Sequence, residues 1–88
     1  MKHFSISVKG KVQGVYFRAS AKQKADELNI CGFAKNEKDS SVYMEAEGEE
    51  NALKIFIEWC HTGPSQARVA IVNVKEGELK NFCGFDVK

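Results

Sequence analysis

An 88-residue chain with 43% apolar and 28% charged residues holds enough apolar content to fold and room for one core, which excludes a disordered tail and sets the expectation of a single domain over residues 1–88. No run approaches the ~20 apolar residues of a membrane span, and Met1 to Val8 alternate rather than forming the apolar block of a secretory signal, so a cytoplasmic protein with no membrane partner is expected. Net charge is only +1, but residues 1–38 carry +5 and residues 39–88 carry −4, so an anionic ligand is expected at the N-terminal half.

Phe4, Ile6 and Val8 alternate with Ser5, Ser7 and Lys9, which predicts a half-buried strand over 3–9 ending at Gly10. After a loop with two glycines, Phe17, Ala21, Ala25 and Leu28 recur at helical spacing, so a helix is expected to Asn29, with Gly32 just beyond its end. Residues 32–36 form a short apolar run, Glu37 to Ser41 are polar, and Val42, Met44 and Ala46 alternate with Tyr43, Glu45 and Glu47; together they predict a β-hairpin. A second helix starts after Gly48 with acids in its first turn and an apolar face of Ala52, Leu53, Phe56, Trp59 and Cys60, and Gly63 and Pro64 stop it. Trp59 reads as core. Val69 to Val74 is β-branched and strand-like, and Phe82 to Val87 is a shorter strand candidate.

Strand, helix, strand, strand, helix, strand is the split βαβ order of a ferredoxin-like α+β fold, with two helices on one face of an antiparallel-rich sheet of four or five strands. Right-handed crossovers lead to the expectation that the first and third strands lie side by side and parallel at the centre. Such folds host many functions, so the sites must decide.

The chemistry concentrates in Gly10-Lys11-Val12-Gln13-Gly14-Val15-Tyr16-Phe17-Arg18. Glycines let successive N–H groups converge on one point, and the helix that follows adds free N–H groups and a positive dipole end. Arg18, in the first turn, carries a planar fork suited to two phosphate oxygens. By spacing alone the segment reads equally well as an anion cradle or as a plain turn beside a solvated arginine. It lacks the Gly-Lys-Ser/Thr of a Walker loop and the G-x-G-x-x-G of a dinucleotide site. His3 and His61 are far apart and head no ligand-spaced cluster, so no metal or other cofactor is expected. Ser20 has no histidine near it in sequence, which argues against a serine nucleophile. Cys31, Cys60 and Cys83 contain no C-x-x-C pair and are expected to be small buried apolar residues without a disulfide. Nucleic-acid binding is not expected, because Tyr43 is the only clear aromatic on the polar side of its strand and the RNA-binding sheet motif is absent.

Gly10 to Arg18 matches G-x-V-Q-G-V-x-F-R at every specified position, and in this the chain resembles the acylphosphatase family. The resemblance continues through Gly32-Phe33-Ala34-Lys35-Asn36 and the following turn, Gly48, Gly63-Pro64, Ala67 to Val69, and Gly84-Phe85. It implies an enzyme, free of metal, that hydrolyses the carboxyl-phosphate bond of a small-molecule acyl phosphate, with inorganic phosphate as product and competitor; the alternative is a catalytically silent anion-binding domain of the same fold, and a monomer is the default expectation for so small a domain. Arg18 and the amides of Gln13, Gly14, Val15, Tyr16, Phe17 and Arg18 would hold the phosphate, and Asn36, by itself an ordinary hairpin asparagine, would place the attacking water. Two departures stand out. Ser40 occupies a position where the family commonly has glycine, which predicts a looser or longer turn, and Phe33-Ala34 replace a more usual tryptophan and valine, which predicts altered packing.

Overall fold

The computed structural model describes residues 1–88. Its strands are β1 (Lys2–Lys11), β2 (Cys31–Asn36), β3 (Val42–Gly48), β4 (Arg68–Gly77) and β5 (Phe85–Val87), and its helices are α1 (Phe17–Glu27) and α2 (Glu50–Cys60). They form one sheet in the order β4-β1-β3-β2-β5. This is the expected ferredoxin-like α+β architecture, extended by a fifth strand.

The first and third strands are neighbours at the centre, but they run antiparallel, Lys2 opposite Gly48 and Val8 opposite Val42, which corrects the parallel expectation. The reason is topological. A crossover through α1 returns the chain in the direction of β1, so β2 runs with β1; the hairpin then reverses it, and β3, placed between them, must oppose both. Only β5 pairs in parallel, along β2.

Alternation along the strands sends Ile6, Val8, Ala34, Val42, Met44 and Ala46 to one face, where Phe17, Ala21 and Ala25 of α1 and Leu53, Phe56 and Cys60 of α2 close over them. Truncating a side chain as central as Phe56, fully buried, costs about 3–5 kcal/mol. Trp59 lies at the margin of this core, partly buried, with its ring 5.3 Å from Phe17 and 6.1 Å from Phe56.

Helix α1 stops at Glu27, short of the expected Asn29. Asn29 takes the left-handed conformation (φ 57°), Ile30 N–H donates to Ala25 O and Asn29 N–H to Asp26 O, so asparagine closes the helix in a Schellman motif and Gly32 belongs to β2 instead.

The opposite sheet face is half covered. Residues 78–84 leave the outer edge at β4 and cross to the other edge at β5, forming a strap over β1, β3 and β2. Beneath it Glu45 and Glu47, which alternation assigns to a polar face, are buried with 6% and 2% of their surface exposed. Glu47 accepts the backbone N–H of Lys80 and of Phe82, and His3 Nδ1 lies 2.8 Å from its Oε2. Glu45 accepts the Tyr43 hydroxyl at 2.8 Å and Lys80 Nζ at 2.9 Å, and faces His3 Nε2 at 3.2 Å. Each ring nitrogen of the buried His3 thus meets a carboxylate oxygen, and both bonds form when the ring carries both protons. Phe82 packs edge-on against Phe33 at 5.7 Å and stacks near His3 at 6.0 Å. The three cysteines are free; Cys60 is buried as expected, but Cys31 is only partly buried and Cys83, on the strap, is exposed. No helix is long and apolar enough to cross a membrane.

Candidate active site

Strand β1 ends in a register shift between Lys9 and Gly10 against β4. Gly10 has φ 129°, and a Cβ there would overlap the Arg68 carbonyl oxygen, so only glycine lets β1 bend into the loop while staying paired. Val12 and Val15 point into the core and hold the loop from below. Gln13 holds it from the side: its amide donates to Glu37 O at 2.8 Å and Ser41 O at 2.9 Å, tying the loop to the β2–β3 turn. Gly14 (φ 74°) and Tyr16 (φ 65°) are left-handed, and a Cβ on Gly14 would meet open space, so its backbone faces solvent. Helix α1 starts at Phe17; its hydrogen bonding opens with Ser20 N–H to Tyr16 O, leaving the earlier amides without a helix partner.

Asn36, the last residue of β2, is exposed beside this loop. The turn after it is tight: Glu37 N–H donates to Ser41 O, Ser40 N–H donates to Glu37 O, and Ser40 itself takes φ 75°. The expectation of a looser turn is therefore corrected. Ser41 donates its N–H (3.0 Å) and hydroxyl (2.5 Å) to Asp39, and these bonds hold that carboxyl below the usual carboxylate range. Serine accepts the strained conformation because the flanking bonds fix the turn.

Arg18 and Asn36, far apart in sequence, line one open cleft of about 360 Å³ together with Val12, Gly14, Tyr16, Phe17, Ala19 and Val87. The volume lies at the small end of ligand sites. Of the residues singled out from sequence, Arg18, Asn36, Gly14, Tyr16 and Phe17 are brought together here. The side chains of Gln13 and Val15 serve the loop's framework. Arg18 Nη1 donates to the Lys88 carbonyl oxygen at 2.5 Å, which turns the guanidinium toward the segment after β5. That segment reaches the site because β5 pairs with β2, Ala34 opposite Val87, and Lys88 N–H donates to Ala34 O at 2.8 Å. Val87 was not among the expected site residues; the closing Gly84-Phe85 motif was the only sign that the C-terminal strand mattered.

Beyond its apolar side chains and the Tyr16 phenol, the lining contains one cation, one carboxamide and backbone, with no carboxylate, thiol or imidazole. Such a site can hold an anion and orient a neutral nucleophile, but it has no carboxylate or imidazole to take up a proton at neutral pH. No group of three or more His, Cys, Asp or Glu side chains is placed to hold a metal ion.

The acylphosphatase family profile matches residues 4–87. A curated acylphosphatase from Marinobacter nauticus is 47% identical over 76 residues, 86% of this chain and 83% of that protein. The crystal structure of acylphosphatase from Bacillus subtilis is 36% identical, covers 100% of this chain and 99% of its own, and superimposes with a TM-score of 0.97. An acylphosphatase structure from Coxiella burnetii gives 39% identity, 99% and 92% coverage, and a TM-score of 0.96. A chain alike in sequence and fold along its length, with Arg18 and Asn36 meeting in one cleft, leads to one conclusion: the chain belongs to the acylphosphatase family, the hydrolases of acyl phosphates.

Proposed function

We propose that Arg18 and the amides of residues 13–18 bind the phosphoryl group of an acyl phosphate, and that Asn36 orients a water for in-line attack on phosphorus, with no metal ion required. The observation that carries this reading is the meeting of Arg18, Asn36 and the N-terminus of α1 in a cleft without a carboxylate or an imidazole. The chemistry tolerates that lack. As the water oxygen bonds to phosphorus, the bond to the carboxyl oxygen breaks and a carboxylate leaves, while the water's proton passes to a phosphoryl oxygen or to solvent; the carboxylate's conjugate acid has a pKa of roughly 4, so it needs no proton. Charge in a loose transition state spreads over the peripheral oxygens, where a guanidinium and fixed N–H dipoles stabilise it. The Asn36 carbonyl oxygen can accept a hydrogen bond from the water and so aim its lone pair.

Inorganic phosphate, the product, competes for the same cradle. The enzyme is taken to act as a monomer, and the three free cysteines fit a reducing, cytoplasmic compartment.

Hydrolysis of benzoyl phosphate in excess EDTA tests the assignment. Wild type turns over; Arg18→Ala loses phosphate binding, and Arg18→Lys is nearly as poor because an ammonium cannot reproduce the fork. Asn36→Ala loses about 10²-fold in kcat with KM little changed, the scale of one positioned polar group. An effect of Asn36→Ala on KM alone would make it a binding group, and full EDTA sensitivity would refute the metal-free reading.

A further inference from the structure

The phosphate-binding reading leaves part of the cleft unassigned. Val12 and Phe17 are buried, 1% exposed each, and form its floor. Tyr16 and Val87 are different: both line the cleft, yet they are 76% and 42% exposed, and they stand on separate elements, the loop and β5. Folding does not account for Tyr16. Its ring is largely in water, and its backbone sits at φ 65°, a conformation unfavourable for a bulky residue. A strained, exposed aromatic beside a phosphate cradle, with no charged side chain but Arg18 in the lining, describes a surface for the uncharged end of a substrate.

We infer that Tyr16, with Val87, is the surface that reads the acyl group, and that it favours acyl phosphates whose acyl part is apolar and aromatic over small ones. The inference rests on the phosphate-binding reading above. Arg18 and the loop amides bind the phosphoryl end common to all such substrates, so discrimination must come from what lies beyond it. A phenyl ring against Tyr16 and Val87 gains apolar contact that a methyl group cannot make. Because the contact is made by the ring, which stays apolar while charge develops on the departing carboxyl oxygen, it is similar in ground and transition states. It therefore lowers KM for the aromatic substrate and leaves kcat nearly alone.

The test compares kcat/KM for benzoyl and acetyl phosphate in wild type, Tyr16→Asn, Tyr16→Phe and Val87→Ala, with inhibition by inorganic phosphate measured in each. Asparagine tolerates the left-handed conformation, so it removes the ring while keeping the loop. In Tyr16→Asn the benzoyl-to-acetyl ratio falls roughly threefold to tenfold, the worth of one aromatic contact, through KM for benzoyl phosphate. Tyr16→Phe keeps the ratio, and Val87→Ala lowers it without touching the loop. An unchanged ratio in both Tyr16→Asn and Val87→Ala overturns the inference. So does an equal loss on both substrates with weakened phosphate inhibition, which would make Tyr16 a shaper of the loop. Failure of the underlying reading looks different: wild type itself would then hydrolyse neither substrate.

Discussion

Replacing Glu47 with glutamine keeps the side chain's shape but removes a charge whose surroundings were built for it. The carboxylate is acceptor-only and takes three donors: Lys80 N–H, Phe82 N–H and His3 Nδ1. A carboxamide offers one oxygen and two N–H groups, so at least one of those donors would face another donor in a site 2% exposed. Leaving a buried donor unpaired costs about 1–3 kcal/mol, and here two backbone N–H groups lose a charged acceptor, so a loss near ~3 kcal/mol is expected. With a urea m-value of about 1–3 kcal/mol per molar, the midpoint should fall by roughly 1–3 M. Unfolding followed by Trp59 fluorescence and far-UV circular dichroism measures this, and faster amide exchange at Lys80 and Phe82 places the loss at the strap. A change below about 0.5 kcal/mol with an unchanged slope would refute the reasoning, since the strap's amides would then be satisfied by water.

The same variant carries a pH signature. Burial pushes the carboxyls of Glu45 and Glu47 up, but Lys80 and Tyr43 around the first, and the Lys80 and Phe82 amides with His3 around the second, override it and hold both below their usual 4.5. A depressed folded value means these groups add stability above the unfolded value and lose it as pH falls through the folded one. Wild type should therefore lose stability more steeply below about pH 4.5 than Glu47→Gln does.

Ser40→Gly should stabilise the protein by about 0.5–1 kcal/mol, because glycine takes φ 75° without strain while its looser unfolded chain returns part of the gain; thermal unfolding measures it, and a lower Tm would show that Ser40 is not strained. Gly10→Ala should destabilise by about 2 kcal/mol or more and reduce turnover together with it, since β1 must move off β4 and carry the loop along; a variant as stable as wild type refutes the close approach at Arg68. Cys60, its thiol pushed up to about 12 by burial, should resist iodoacetamide in the native protein while the exposed Cys83 reacts, as read by mass spectrometry; rapid labelling of Cys60 would contradict the packing of α2.

Most of the secondary structure was legible because burial here has two clean periods: Phe4, Ile6 and Val8 at two residues, Phe17, Ala21 and Ala25 at helical spacing. Arg18 and Asn36 were legible only through the motifs around them; neither side chain is distinctive alone, and it takes the sheet to put the end of β2 beside the loop after β1. Glu45 and Glu47 were misassigned because alternation reports which face a residue is on, not whether that face is covered. The covering segment, residues 78–84, has no periodicity to announce it, and it hides charge by hydrogen bonding. Asn29 and Ser40 escaped because glycine was expected wherever the chain needs positive φ, while their hydrogen-bonded surroundings let other residues stand there.

Strand order also governs when this protein can fold. β1 is synthesised first, yet both of its partners come late: His3 pairs with Glu47 on one side and Gly77 on the other. During synthesis at about 5–20 residues per second the strand waits several seconds with both edges bare, and its contacts close large loops before they repay the entropy. The strands do not pair in the order in which they are made, since β1 neighbours β3 and β4 and not β2. Both edges of β1 are paired only once β4 has left the ribosome, and the polar Ser5, Ser7 and Lys9 that interrupt β1 are of the kind that discourages aggregation of an unpaired strand.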